Sequence, residues 1–170
     1  MRLGKDWYRQ EAVTAAPALI GKLLCCKTDQ GITKLRITET EVYYGQEDTA
    51  CHAHKGRTKR TETLYCEGGV AYVYLCYGIH ELFNVVTGDL DHPQAVLIRG
   101  VEGYNGPGKL TKALNITREH NGEDLSISER LWIEDDDFAC DYNATKRVGI
   151  DYATPEYRDK LWRYIMIAKP

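Results

Sequence analysis

Apolar residues along this chain gather into short runs separated by glycine, proline and polar turn residues. Residues 70–77 (VAYVYLCY) make the clearest strand, and 81–87 (ELFNVVT) return after Gly78. Together they predict a protruding β-hairpin with its tip at Tyr77-Gly78-Ile79-His80. Residues 22–27 and 33–43 read as two strands joined by Asp29-Gln30-Gly31, and 95–101 as a further apolar strand. Strands are also expected at 127–133 and 148–152, around an acidic loop, and at 161–167. Helical patterns are few. Residues 11–20 suit a short helix that Pro17 opposes and Gly21 stops. Residues 109–114 suit another, behind Gly106-Pro107-Gly108, and 155–160 a single turn. Segment 44–69 is polar and glycine-punctuated, without elements of its own. Loops of that length usually carry function. Many strands, short helices and no βαβ rhythm predict an α+β fold with a mixed or antiparallel sheet, in one domain over 1–170.

Composition adds constraints. No apolar run reaches the ~20 residues of a membrane helix, and no signal core follows Met1-Arg2-Leu3-Gly4, so a soluble cytoplasmic protein is expected. None of the six cysteines forms a C-x-x-C pair, and they read as reduced and mostly buried. The formal charge of −3 argues mildly against nucleic acid. Locally, however, Lys55-Gly56-Arg57-Thr58-Lys59-Arg60 is basic, and Glu134-Asp135-Asp136-Asp137 draws the total down. Tyrosine is abundant, 12 residues against two phenylalanines, and suits the stacking of flat ligands.

Candidate chemistry starts at Glu39-Thr40-Glu41-Val42-Tyr43, where a strand's period of two puts Glu39, Glu41 and Tyr43 on one face. Carboxylates there can serve as a general base. Spacing alone favours a solvent-facing edge strand instead. Tyr72 and Tyr74 share a face, and Tyr77 falls on the other face or at the tip. They suit base stacking or a wedge, and equally ordinary strand packing. Cys51, His52 and His54 raise zinc without the partner spacing a site needs. Arg99 ends an apolar strand and can reach solvent or a pocket.

Several segments taken together resemble the alkyladenine (methylpurine) DNA glycosylases. They are ITETEVYYGQEDTACH (37–52), the basic loop to Arg60, VAYVYLCYGIHELFNV (70–85), AVLIRGVE (95–102), NGPGKLTKAL (105–114) and RVGIDY (147–152). Their order matches over most of residues 10–168. The resemblance implies a single α+β domain with a curved, mainly antiparallel sheet and no catalytic metal or cofactor. It implies double-stranded DNA containing damaged purines as partner, no membrane, and action as a monomer. By position, Glu41 resembles the general base, with Arg99 near the water and the flipped nucleotide's phosphate. Tyr43, Ala50 and His52 resemble pocket residues around the flipped base, with Tyr74 opposite. Asn84 resembles the asparagine that excludes guanine's exocyclic amino group. Tyr77 resembles the wedge, and Arg57 and Lys109 resemble backbone contacts. The chain departs from the family between AVLIRGVE and NGPGKL. Only Gly103-Tyr104 stands where most relatives carry a longer insert. Two rival readings remain: a nucleic-acid-binding module without catalysis, and a zinc hydrolase using Cys51, His52 and His54.

Overall fold

The computed structural model describes residues 1–167. Helix α1 (Ala12–Leu19) precedes the hairpin β1 (Leu23–Thr28) and β2 (Gly31–Tyr44). A second hairpin is made by β3 (Ala71–Cys76) and β4 (His80–Val86). Then come β5 (Gln94–Val101), β6 (Tyr104–Asn105), α2 (Pro107–Leu114) and β7 (Leu131–Glu134). The chain closes with β8 (Asp141–Thr145), α3 (Pro155–Arg158) and β9 (Arg163–Ile167). The nine strands among the described residues form one curled antiparallel sheet, ordered β3-β4-β5-β2-β1-β7. Beyond Arg36, where the pairing with β1 stops, the same edge of β2 is taken by β9, which in turn carries β8. The fold is α+β, and no helix is long and apolar enough to cross a membrane among the described residues.

Register divides the sheet into two chemically different faces. Pairing of Tyr43 with Ala95, Glu41 with Leu97, Asn84 with Leu97, Tyr72 with Asn84 and Tyr74 with Leu82 aligns these residues on one face. Val42, Val73, Phe83, Val85, Val96 and Ile98 point the other way. They meet Ala12, Ala15, Ala16 and Leu19 of α1 and Leu110 and Leu114 of α2 in the main core. Burying each large side chain there stabilises the fold by about 1.5–3 kcal/mol. The main core therefore occupies one face, while the tyrosine face carries two smaller clusters, one around Tyr65 and Tyr72 and one around Ala50 and Ile150.

The ladder between β2 and β5 slips twice around Glu39. Thr38 on β2 and Arg99 on β5 are each left without a cross-strand partner in it. Such bulges bend a strand and re-aim its side chains. Gly100 permits this close approach, because a Cβ there would stand 2.9 Å from Thr38 Oγ1 and 3.3 Å from Glu39 Cβ.

Four expectations change. Glu39 and Glu41 lie on a central strand and are buried, so the edge-strand reading fails. Residues 148–152 are a turn, with Gly149 at φ +74°, and the strand of that region is β8 within the expected acidic loop. Segment 44–69 contains two 3-10 turns, His52–Lys55 and Glu62–Tyr65. Pro17 is accommodated inside α1, which ends two residues later.

Candidate active site

A cavity of about 560 Å³ opens on the tyrosine face. Its floor is the sheet, through Tyr43, Tyr72, Tyr74, Asn84, Leu97 and Arg99. Its sides are Ala50 to His52, the hairpin tip at Tyr77, the start of α2 with Lys109, and the 148–152 turn. Of the residues singled out in the sequence, Tyr43, Ala50, His52, Tyr74, Tyr77, Asn84, Arg99 and Lys109 all line it. Glu41 stands just behind the floor and is fully buried. Arg57 is turned away, its guanidinium held by Glu62 at 2.7 Å and Asp91 at 3.0 Å.

Glu41 is fixed from both sides. Its Oε1 accepts from the Tyr43 hydroxyl at 3.0 Å, and its Oε2 accepts from the Val148 backbone N–H at 2.7 Å. Arg99 Nη1 lies 3.6 Å from Oε1. A carboxylate offers about four lone-pair sites, so two hydrogen bonds leave it able to accept a water's proton. Burial pushes the Glu41 carboxyl above the usual glutamate range. Arg99, the Val148 N–H, the Tyr43 hydroxyl and Arg147 pull it back only in part. A carboxylate so raised is a stronger base than a free one.

The aromatic wall is built by local packing. His52 Nδ1 lies 2.9 Å from the Tyr72 hydroxyl, and the His52 and Tyr74 rings meet edge to face at 4.5 Å. Burial, with Arg60 and Lys55 nearby, pushes His52 below the ordinary imidazole range, so the ring is neutral at pH 7. The Asn84 amide donates to the Tyr72 carbonyl across the hairpin at 3.2 Å. Tyr77 is 87% exposed at the tip, in the left-handed region at φ +52°, with Gly78 at φ +68° beside it. The Ile79 N–H closes the turn onto the Cys76 carbonyl at 3.1 Å. A non-glycine residue held at positive φ without burial is a strain with no return in folding.

The suggested zinc ligands do not converge. His54 Nδ1 lies 2.7 Å from the Gln46 carbonyl, His52 faces Tyr72, and burial pushes the Cys51 thiol up to about 12. No three His, Cys, Asp or Glu side chains are grouped as metal ligands among the described residues.

The sequence reading missed several parts of the site. Arg147 is the largest. It makes a bidentate pair with Asp48 at 2.6 and 3.0 Å, and Asp48 also accepts from the Tyr44 and Ala50 backbone N–H groups. That pair ties the pocket residue Ala50 to the turn carrying Val148. Ninety-nine residues separate the partners, and no local pattern announces them. Arg60, which the sequence had placed in the basic stretch but not in the pocket, lines the cavity with its guanidinium 6.0 Å over the Tyr74 ring. Tyr152 stands at the mouth and donates to the Ala50 carbonyl at 3.1 Å.

Comparison with known proteins assigns the lineage. The model of the family described as methylpurine-DNA glycosylase matches residues 6–105 and 103–170. The chain belongs to that family. A protein of Borreliella afzelii is 44% identical over 176 aligned residues, covering 95% of this chain and 94% of its own. One from Natranaerobius thermophilus is 40% identical over 197, covering 100% and 98%. One from Psychrobacter cryohalolentis is 41% identical over 195, covering 97% and 92%. All three are provisionally named 3-methyladenine DNA glycosylase. The family match falls in two segments that overlap at residues 103–105. In the structure Val101 pairs with Tyr104 across a two-residue turn, with Gly103 at φ +86°.

Proposed function

We propose that this chain is a monofunctional DNA glycosylase of base excision repair. It flips an alkylated or deaminated purine out of duplex DNA into the tyrosine-lined cavity and leaves an abasic site. The observation that carries the reading is the placement of Glu41. It is a buried carboxylate with raised basicity, directly behind a cavity walled by His52, Tyr72 and Tyr74. The His52 and Tyr74 rings touch, so a base seated between them separates them. Unstacking costs a few kcal/mol, less for a damaged or mispaired base, and extrusion itself helps selection.

In the chemical step Glu41 takes a proton from water as the water oxygen bonds to the anomeric carbon. The carbon–nitrogen bond breaks, and its electron pair leaves with the base. In an alkylated purine that pair neutralises the base's positive charge, so no acid is required. The developing sugar cation is stabilised by the Glu41 charge.

Glu41→Gln tests this. Excision from a duplex carrying one alkylated purine should fall at least ~100-fold, the lower end of a general base's contribution. Binding to the same duplex should survive, because the amide keeps the pocket's shape. Near-normal excision by the variant would remove Glu41 from the mechanism. Wild-type binding with no excision at all would favour the non-catalytic module.

A further inference from the structure

The two glutamates of β2 have different partners. Glu41 meets Tyr43 and Val148. Glu39 accepts through Oε1 from Arg163 Nε of β9, and the same oxygen lies 3.8 Å from Arg99 Nε. Arg163, Glu39, Arg99 and Glu41 therefore form a chain of alternating charge at the pocket floor. Their side chains are at most one quarter exposed.

Arg99 is anomalous within this chain. A guanidinium beside a buried carboxylate ordinarily closes to about 2.7–2.9 Å, often with two parallel bonds. Arg99 stays 3.6 Å from Glu41 and 3.8 Å from Glu39, and its buried Nε has no hydrogen-bond partner. It is suspended between two carboxylates, one of which Arg163 already occupies. The bulge leaves Arg99 outside the regular β2–β5 pairing.

We propose that Glu39 and Arg163 are positioning residues that hold Arg99 out of hydrogen-bonding range of Glu41. A closed Arg99–Glu41 pair would favour the ionised carboxylate and weaken it as a base. Glu39 prevents closure by drawing Arg99 the other way, and Arg163 sets how strongly it draws. The inference rests on the reading of Glu41 as general base. The other groups facing Glu41 are Tyr43, Tyr74, Arg147 and the Val148 N–H, and none of them is hydrogen-bonded to Arg99 among the described residues.

The two positioning residues act in opposite directions, which supplies the test. Without the Glu39 charge, Arg99 has Glu41 as its one carboxylate and closes on it. Without Arg163, Glu39 has Arg99 alone and pulls it away. Single-turnover excision of a cationic alkylated purine from duplex DNA is measured against pH. Such a lesion needs no acid, so its acid limb reports the base alone. Glu39→Gln should move that limb to lower pH by about one unit or more and lower the plateau. Arg163→Gln should move it to higher pH, and Arg163→Lys should restore it. Limbs unmoved in both variants, or moved in the same direction, would overturn the proposal and leave both residues structural. If Glu39→Gln does not fold, the partly exposed Arg163 carries the test through its two variants. Glu41→Gln separates the two ideas. Excision that persists in it with the same limb refutes the general base, whereas its loss alongside unmoved Glu39 and Arg163 limbs refutes the positioning alone.

Discussion

Among the arginines beside buried carboxylates, Arg147 and Arg99 are held in opposite ways. Arg147 donates four hydrogen bonds of 2.6 to 3.0 Å, to both oxygens of Asp48 and to the Val42 and Tyr157 carbonyls. Its guanidinium also lies about 5 Å from the Tyr43 and Trp162 rings. Arg99 donates no side-chain hydrogen bond among the described residues, although Glu39 and Glu41 are both within 4 Å. One arginine is paired through both terminal nitrogens, with its Nε alone lacking a partner, and binds the loops of the site together. The other is underpaired and lines the cavity. Four hydrogen bonds commit the Arg147 guanidinium to the fold, whereas the Arg99 guanidinium at the cavity floor has donors to spare.

The largest effect should come from breaking the closely paired arginine, Arg147. Arg147→Met leaves Asp48 as an uncompensated buried charge and should destabilise the fold by roughly 3–5 kcal/mol. Arg99→Met leaves Glu39 with Arg163 and Glu41 with its two hydrogen bonds, so its stability loss should be about 1 kcal/mol. Its excision rate should nevertheless collapse. Chemical denaturation and single-turnover excision together measure the contrast. Equal destabilisation by the two substitutions would make Arg99 a fold residue too.

A smaller effect is expected at the hairpin tip, where the contrast is between strain and burial. Tyr77 contributes little to the core, since it is 87% exposed, yet it keeps a left-handed backbone. Tyr77→Ala should change stability by no more than about ±0.5 kcal/mol. Flipping should weaken by roughly 1–3 kcal/mol, the worth of one base–aromatic stack. The loss should be greater for paired lesions than for single strands, where no gap needs filling. Stopped-flow fluorescence of an emissive lesion reads it. Unfolding with flipping intact would place Tyr77 in the core instead.

The same contrast explains what was legible in the sequence. Period-two patterning foretold the strands, and with them the shared face of Glu39, Glu41 and Tyr43 and that of Tyr72 and Tyr74. The Tyr-Gly step foretold the hairpin tip. Hidden were features that depend on distant partners. The Arg99 bulge needs Gly100 against Thr38 and Glu39. The Arg147–Asp48 pair spans 99 residues. β8 (Asp141–Thr145) is almost wholly exposed and so lacks the apolar alternation that announces a strand. Residues 148–152 looked like a strand because Val148 and Ile150 are apolar. They form a turn whose Val148 N–H is committed to Glu41. Net charge misled for a related reason. The acidic run is neutralised by Lys22, Lys34 and Arg36 around the β7 end of the sheet, at the far end of the strand order from the β3–β4 hairpin.

The smallest expected effect concerns which cations meet phosphate, and it repeats the distinction between committed and unspent charge on the surface. Arg57 and Lys109 were the expected backbone contacts, but Glu62 and Asp91 already neutralise Arg57, and its guanidinium packs 4.8 Å over Tyr65. A phosphate would have to displace those carboxylates, so little net counterion release follows. Arg60, Lys55 and Lys109 have no ion-pair partner among the described residues, and Arg60 and Lys109 line the cavity. Arg60 and Lys55 also border a second hollow of about 450 Å³ that shares Ala50, His52 and Tyr152 with the first. Each phosphate neutralised by a free cation adds close to one unit to the slope of log affinity against log salt. Arg60→Gln and Lys109→Gln should each reduce that slope by about one on undamaged duplex. Arg57→Gln should leave it nearly unchanged. Fluorescence anisotropy titrations across a salt series would measure all three. A slope that falls with Arg57→Gln but not with Arg60→Gln would return the phosphate contact to Arg57 and show that its two carboxylates give way when DNA binds.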